Sequence, residues 1–290
     1  MTPYGPAMTF SIVARSADGT SFGVAVASKF LAVGAAVPAA AAGVGAIATQ
    51  AYANLGYRPE GLAQLREGRR ASLTLDTLLA ADEKRETRQA GIVDAAGDAA
   101  TFTGSECHPW AGGVTGEGYA IQGNILVGPA VVADMEEAWL GTDQAAPLAR
   151  RLLAALIAGD DAGGDRRGRQ GAALLVVTPE GGYGGGSDVF VDLRVDDHAA
   201  PVGELARLLD LHDLYFGKPD PDSLLDLTGD LDTDVRARLA TLGFANDDLD
   251  DALADWAGVE NYEERLVPGR IDPLVLAKLR EATPHRQVEP

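Results

Sequence analysis

Seven residues near the start of the chain, Thr9-Phe10-Ser11-Ile12-Val13-Ala14-Arg15, most constrain what it can fold into. Phe10, Ile12 and Val13 suit a pleated, mostly buried strand. Side chains alternate faces along a strand, so Thr9, Ser11 and Val13 share one face. Met8 stands directly before the first hydroxyl. If the functional chain begins after Met8, Thr9 becomes a free N-terminus whose hydroxyl sits beside its own α-amine. That amine has a reference pKa of ~8, close enough to neutrality to act as a base. The alternative is an ordinary first strand whose hydroxyls face water.

Short apolar runs separated by glycines follow. Ser21 to Ser28 reads as a second strand, joined to the first by the hairpin turn Ser16-Ala17-Asp18-Gly19, and Gly43 to Gln50 as a third. Pro59 to Arg66 and Ser72 to Ala81 look helical, with Ser72 as an N-cap. Gln89 to Asp94 and Ala99 to Thr103 form a second hairpin, and Tyr119 to Val127 is a strand. Helices over Pro129 to Leu140 and Ala146 to Ala158 precede strands over Gln170 to Thr178 and Val189 to Val195. A helix from Val202 to Tyr215 ends this part. Hairpins imply antiparallel sheet, and helices inserted in pairs suggest layers covering two stacked sheets. The predicted class is α+β, as a four-layer αββα sandwich.

Composition changes after Gly217. Residues 219–290 hold 17 acidic against 7 basic residues, and Pro219 and Pro221 suggest a linker. Three short helices, Asp234 to Leu242, Leu249 to Gly258 and Pro273 to Glu281, predict a small all-α C-terminal domain. The expected division is 1–218 and 219–290.

The net charge of -19 argues against nucleic-acid or anionic-membrane partners. The apolar stretch Ala35 to Ala48 is too short and too broken by glycine and Pro38 to span a bilayer. Met1 to Pro6 lacks the basic and apolar regions of a signal peptide. The single Cys107 fits a reducing compartment. A cytoplasmic protein is therefore expected, with no cofactor and no metal. Cys107-His108 is not a zinc site, because structural zinc takes four ligands. His198, in Asp196-Asp197-His198, reads as a solvated turn. Asp226, Asp230, Asp232 and Asp234 lack the glycine and terminal glutamate of a calcium loop. The glycine run Gly181 to Gly186 lacks the lysine and helix of a phosphate loop.

Several blocks resemble a bacterial family, domain of unknown function 1028. They are the strand at Thr9 to Arg15, Gly23-Val24-Ala25-Val26-Ala27-Ser28-Lys29-Phe30, Ala48-Thr49-Gln50-Ala51-Tyr52-Ala53-Asn54, Gln122-Gly123-Asn124 and Gly164-Asp165-Arg166-Arg167-Gly168-Arg169-Gln170. The resemblance runs from about Met8 to Lys218. It implies the fold of N-terminal-nucleophile (Ntn) hydrolases, the αββα sandwich. The tail, with Leu242-Gly243-Phe244, Trp256, Glu260-Asn261 and Ile271-Asp272, resembles a small domain that some members carry and whose name connects it with peptidoglycan.

The resemblance implies a hydrolase of small, non-peptide C–N bonds with Thr9 as nucleophile and Ser11 in reserve. The residues Met1 to Met8 stand in the way: while they are attached, Thr9 has an amide and no base. Lys29, after the second strand, is a candidate for lowering the nucleophile's pKa, or a solvated strand end. Asn124 is a candidate oxyanion donor, or a bulge residue satisfying backbone groups. Thr49, Gln50, Tyr52 and Asn54 could line the same mouth. Asp165, Arg166, Arg167 and Arg169 could hold a substrate carboxylate in a bidentate grip, or an interface between copies. At least one arginine is expected to point toward Thr9 and Asn124. The expected partners are a small-molecule substrate and a second copy, as a homodimer or larger homo-oligomer. The competing class is a non-catalytic module binding a small molecule or cell-wall fragment.

Overall fold

The first strand, β1 (Thr9–Arg15), lies between β2 (Phe22–Ser28) and a later strand, antiparallel to both. The structure is a computed structural model and describes residues 9–283. After β2 come α1 (Val33–Ala36), β3 (Pro38–Ala41), β4 (Gly45–Ala51), α2 (Tyr57–Arg66) and α3 (Ala71–Ala80). Then follow β5 (Arg88–Asp94), β6 (Ala99–Thr103), β7 (Gly112–Gly116) and β8 (Tyr119–Asn124). Helices α4 (Ala130–Gly141) and α5 (Leu148–Asp161), strands β9 (Gly171–Val177) and β10 (Val189–Val195), and α6 (Pro201–Phe216) complete this run. Strands and helices are mixed, and every strand pairing is antiparallel among the described residues.

The strands form a six-stranded sheet, β10-β9-β2-β1-β8-β7, and a four-stranded sheet, β3-β4-β5-β6. Alternation along β1 decides what faces what. Val13 joins Val24, Val26, Ala46, Ala48, Val93 and Ala173 in a buried cluster between the two sheets. Thr9 and Ser11 share that face. Phe10, on the other face, meets α5: a Cβ on Gly159 would lie 3.1 Å from the Phe10 ring and 2.7 Å from Met135. Only glycine lets α5 approach β1 so closely. On the far side of the four-stranded sheet, Ile47 and Ile92 pack with Tyr57 and Leu65 of α2 and Leu75 and Leu78 of α3.

Helix α3 does not begin as the sequence suggested. Its N-cap position is Arg70, which makes no side-chain cap. Asp94 accepts from Ala71 N at 2.9 Å, and Asp98 from Ser72 N and Oγ at 3.0 and 2.8 Å. Two carboxylates from the β5–β6 hairpin thus satisfy the orphan donors of the helix N-terminus, where negative charge is favoured.

The chain divides into two compact units, Met1–Leu208 and Leu209–Pro290, with the division inside α6 and upstream of the expected Pro219. In the second unit, α7 (Gly229–Thr241), α8 (Leu249–Glu260) and α9 (Pro273–Ala282) surround Trp256, Val235, Leu239 and Leu279, and Leu214 of α6 joins this core. A short ladder pairs β11 (Leu225–Asp226) with β12 (Arg270–Ile271). Asp248 caps α8 by accepting from Asp250 N and Asp251 N, and Asp272 caps α9 by accepting from Leu274 N. Among the described residues no helix is long and apolar enough to cross a membrane.

Candidate active site

The end of β1 where Thr9 stands is where the sequence invests most polarity. The register sets Thr9 opposite Ser28 on one side and Asn124 on the other. Thr9 is 1% exposed, and its Oγ1 donates to Ser28 Oγ at 3.2 Å. Two residues on, Ser11 Oγ donates to Gln50 Oε1 at 2.6 Å. Gln50 reaches across from β4 because its position faces the six-stranded sheet. Its Nε2 donates to Gln89 Oε1 at 2.8 Å and to the carbonyls of Thr9 and Gln122 at 3.3 Å each.

Gln89 joins the halves of this network. Its Oε1 also accepts from Asn124 Nδ2 at 2.9 Å, while its Nε2 donates to Gly123 O at 2.7 Å and Thr103 Oγ1 at 2.9 Å. Gln122 Nε2 donates to Ser11 Oγ at 2.7 Å, and its Oε1 accepts from Thr101 Oγ1 at 3.2 Å. Room for Gln122 comes from Gly91, where a Cβ would lie 2.1 Å from Gln122 Oε1. Thr9, Ser11, Ser28, Gln50, Gln89, Gln122 and Asn124 are all buried, and none is charged. Burying so many neutral polar groups is tolerable because they satisfy one another.

Two strands that feed this network, β4 and β8, end in left-handed backbone. Ala51, after Gln50, has φ 63°, and Ile125, after Asn124, has φ 51°. The left-handed region is unfavourable for a β-branched residue such as Ile125 and persists only where its surroundings hold it. Here Ile125 N donates to His108 O at 2.9 Å, and its carbonyl accepts from Arg166 N at 3.3 Å. The strand expected to reach Val127 therefore stops at Asn124, leaving that side chain at the strand end beside Thr9.

Of the residues singled out in the sequence, Thr9, Ser11, Gln50 and Asn124 come together. Lys29 does not join them: it is exposed, and its ammonium donates to Arg169 O at 3.3 Å. Thr49 faces the opposite side of β4 from Gln50, and its hydroxyl donates to Asn54 O at 3.3 Å. Asn54 donates to Asp82 at 2.9 Å, and the Tyr52 ring lies tilted against His108 at 6.4 Å. These polar residues belong to a second cluster around Asp82, which also accepts from Arg88 Nε at 2.8 Å and Tyr57 OH at 3.1 Å. Burial alone would raise the Asp82 pKa, but these donors outweigh it and hold the carboxyl well below the usual range. The same burial and the carboxylate beside it push the Tyr57 phenol far up.

The arginine loop is anchored by Asp165. Its carboxylate accepts from Lys29 N at 2.6 Å and Arg167 N at 2.9 Å, and Arg167 Nη2 lies 3.3 Å away. Arg169 grips Asp160 with its Nε, 2.7 Å from Oδ1. Arg166, Arg167 and Arg169 are all exposed. Arg167 and Arg169 thus take partners within the loop and α5, and the expected inward-pointing arginine is not what this arrangement gives. Cys107, whose Sγ donates to Arg88 O, has its thiol pushed up to about 11, chiefly by burial, so it is no nucleophile at neutral pH. The exposure of Thr9 by loss of Met1 to Met8 lies outside the described residues.

Sequence reasoning missed Gln89, and gave Gln122 only as part of a motif. The available signal was a lone glutamine at the head of an otherwise apolar strand, Gln89-Ala90-Gly91-Ile92-Val93.

Comparison with known proteins agrees with this organisation. Residues 9–205 match the model described as "Family of unknown function (DUF1028)", and residues 215–279 the one described as "Putative peptidoglycan binding domain". A crystal structure of a Silicibacter pomeroyi protein carrying the same DUF1028 assignment superposes with a TM-score of 0.64 at 32% identity, covering 78% of this chain and 92% of that one. No curated protein matches the chain.

Proposed function

We propose that this chain, which belongs to the DUF1028 family, is an Ntn-type amidohydrolase of small, non-peptide C–N bonds. Helix pairs on the outer faces of two facing sheets are read here as the αββα arrangement of that class. The observation that carries the proposal is the placement of Thr9 opposite Asn124 at the end of β1, on a buried and uncharged hydrogen-bond network. Loss of residues 1–8 gives Thr9 a free α-amine. Thr9 Oγ then attacks the substrate carbonyl, and its proton passes to that amine. The tetrahedral oxyanion is held by Asn124 and a backbone N–H. The amine returns the proton to the leaving nitrogen as the C–N bond breaks. Water then hydrolyses the acyl ester on Thr9, restoring the enzyme. Lys29 has no part in this reading, because its ammonium is engaged with Arg169 O.

The test compares protein beginning at Thr9 with the full chain and with Thr9→Ala in the shortened form, against a panel of small acyl amides. Hydrolysis and an acyl adduct on Thr9 by intact mass are expected only in the protein beginning at Thr9. Equal turnover in the Thr9→Ala protein refutes the mechanism. The match of residues 215–279 favours a second reading, a non-catalytic protein that binds cell-wall fragments through its helical unit. Sedimentation of Thr9→Ala protein with purified peptidoglycan, without any amidase activity in the parent, supports that reading instead.

A further inference from the structure

We propose that the outer edge of β10 is a homodimer interface, in which two copies of this chain pair their β10 strands antiparallel about a two-fold axis through Leu193. β10 is the terminal strand of the six-stranded sheet, so among the described residues one of its edges has no neighbouring strand in that sheet. Exposed edges of this kind are templates for pairing with another chain. Exposed apolar side chains lie at the start of the same strand and in the turn before it: Val189 is 43% exposed, Phe190 38%, and Tyr183, on the hairpin joining β9 to β10, 79%.

Charge identifies the partner. Asp192 and Arg194 lie two apart on one face of β10, with Arg194 Nε 2.8 Å from Asp192 Oδ1 and side chains 44% and 37% exposed, arginine first. Val191 and Val195, on the opposite face, are buried. In an antiparallel pair, directly opposed residues share a face. A two-fold axis normal to the sheet therefore passes through a residue pair. An axis at Asp192 or at Arg194 sets like charges together. An axis at Leu193 sets Asp192 opposite the partner's Arg194 and Arg194 opposite the partner's Asp192. Opposite-charge cross-strand pairs stabilise, and like pairs destabilise. The strand is thus complementary to itself in the manner an isologous interface requires. The two ion pairs now closed within the separate strands, one in each copy, are exchanged for two pairs across the axis. The opposing interpretation is that Asp192 and Arg194 guard the edge against pairing.

The test measures the mass of the full chain by light scattering after size exclusion at low ionic strength. Twice the 30.1 kDa chain mass is expected. Asp192→Arg and Arg194→Asp should each shift the protein to the monomer mass, and the double exchange should restore the dimer. The double exchange also guards against misfolding, since it keeps the two charges within the strand. Hydrogen exchange gives a second readout: amides of Asp192 and Arg194 should gain protection as protein concentration rises. A monomer at all concentrations, a dimer indifferent to the single reversals, a double exchange that stays monomeric, or concentration-independent exchange each overturns the proposal.

Discussion

Replacing Gln89 tests whether the polar network holds the candidate site together. In Gln89→Leu, Asn124 Nδ2 loses its acceptor at 2.9 Å and Gly123 O loses its donor at 2.7 Å. Gln50 Nε2 keeps its weaker contacts to Thr9 O and Gln122 O. A buried polar group left without its partner costs about 1–3 kcal/mol, so two such groups cost on the order of 4 kcal/mol. At ~2–4 °C per kcal/mol for a unit of this size, calorimetry should record a Tm lower by about 8–16 °C. Gln89→Glu sharpens the test through pH. It keeps the acceptor that Asn124 and Gln50 use, but once ionised it faces the Gly123 carbonyl with no proton to offer. Burial and that carbonyl raise its folded-state pKa above the ~4.3 of an unfolded Glu. A raised folded pKa gives stability that is full below the unfolded value and is lost as pH rises through the folded one. The Tm difference between Gln89→Glu and the parent should therefore be small near pH 4 and widen toward neutrality. A Gln89→Leu protein melting within ~3 °C of the parent refutes the role assigned to the network.

Asp82 should govern acid stability. Its pKa is depressed on folding, so its contribution is present above the ~3.9 of an unfolded Asp and is lost as pH falls through the folded value. Asp82→Asn should flatten that acid loss in pH-dependent melts. Asp82→Ala, which strands Arg88 (side chain 14% exposed), should cost about 3–5 kcal/mol by denaturant titration. Cys107, with its thiol pushed up to about 11, should resist alkylation at pH 8 until the chain unfolds; rapid labelling of native protein contradicts its burial.

What could be read from sequence was what local pattern dictates. Alternation gave β1 and β2, Val189–Val195 matched the strand read for it, and the helical periodicities of α4, α5, α8 and α9 fell within a few residues of the observed bounds. β3 was hidden because Pro38-Ala39-Ala40-Ala41 carries no β-branched residue, and β7 because Gly112-Gly113-Val114-Thr115-Gly116 is mostly glycine. Both are placed by pairing with β4 and β8, which are distant decisions. The same limit applies to the site. Thr9 and Asn124 could be named individually, but Gln89 matters only because β5 brings it across to β8, and a single strand's pattern holds no such information. Lys29 and the arginines were conspicuous as charges, yet charges in this chain find carboxylates and carbonyls close at hand, as Arg169 does with Asp160. Uncharged amides, easily overlooked, are what the buried network beside Thr9 is built from.

The same reasoning bears on where the helical unit begins. Pro219 looked like a boundary because composition changes there, but composition does not report which side chains complete a core. Leu214 is 7% exposed within the cluster around Trp256, and Tyr215 stacks on Tyr262 at 6.0 Å. Arg265, whose side chain is 7% exposed, pairs with Asp272 at 2.6 Å and donates to the carbonyls of Leu214 at 2.7 Å and Asp213. A fragment of residues 219–290 loses all of these upstream partners. Removing a buried leucine costs about 2–5 kcal/mol. Each hydrogen bond lost by a charged guanidinium costs about 1.5–3 kcal/mol more. Together these exceed the ~3–5 kcal/mol that one small core supplies. Residues 209–290 should therefore show a cooperative melt by circular dichroism, while residues 219–290 should be largely unfolded. Arg265→Lys in the longer fragment should fall between them, because an ammonium cannot reach Asp272 and both carbonyls in the fork geometry. If the two fragments melt alike, Arg265 and Leu214 are not what holds the start of this unit.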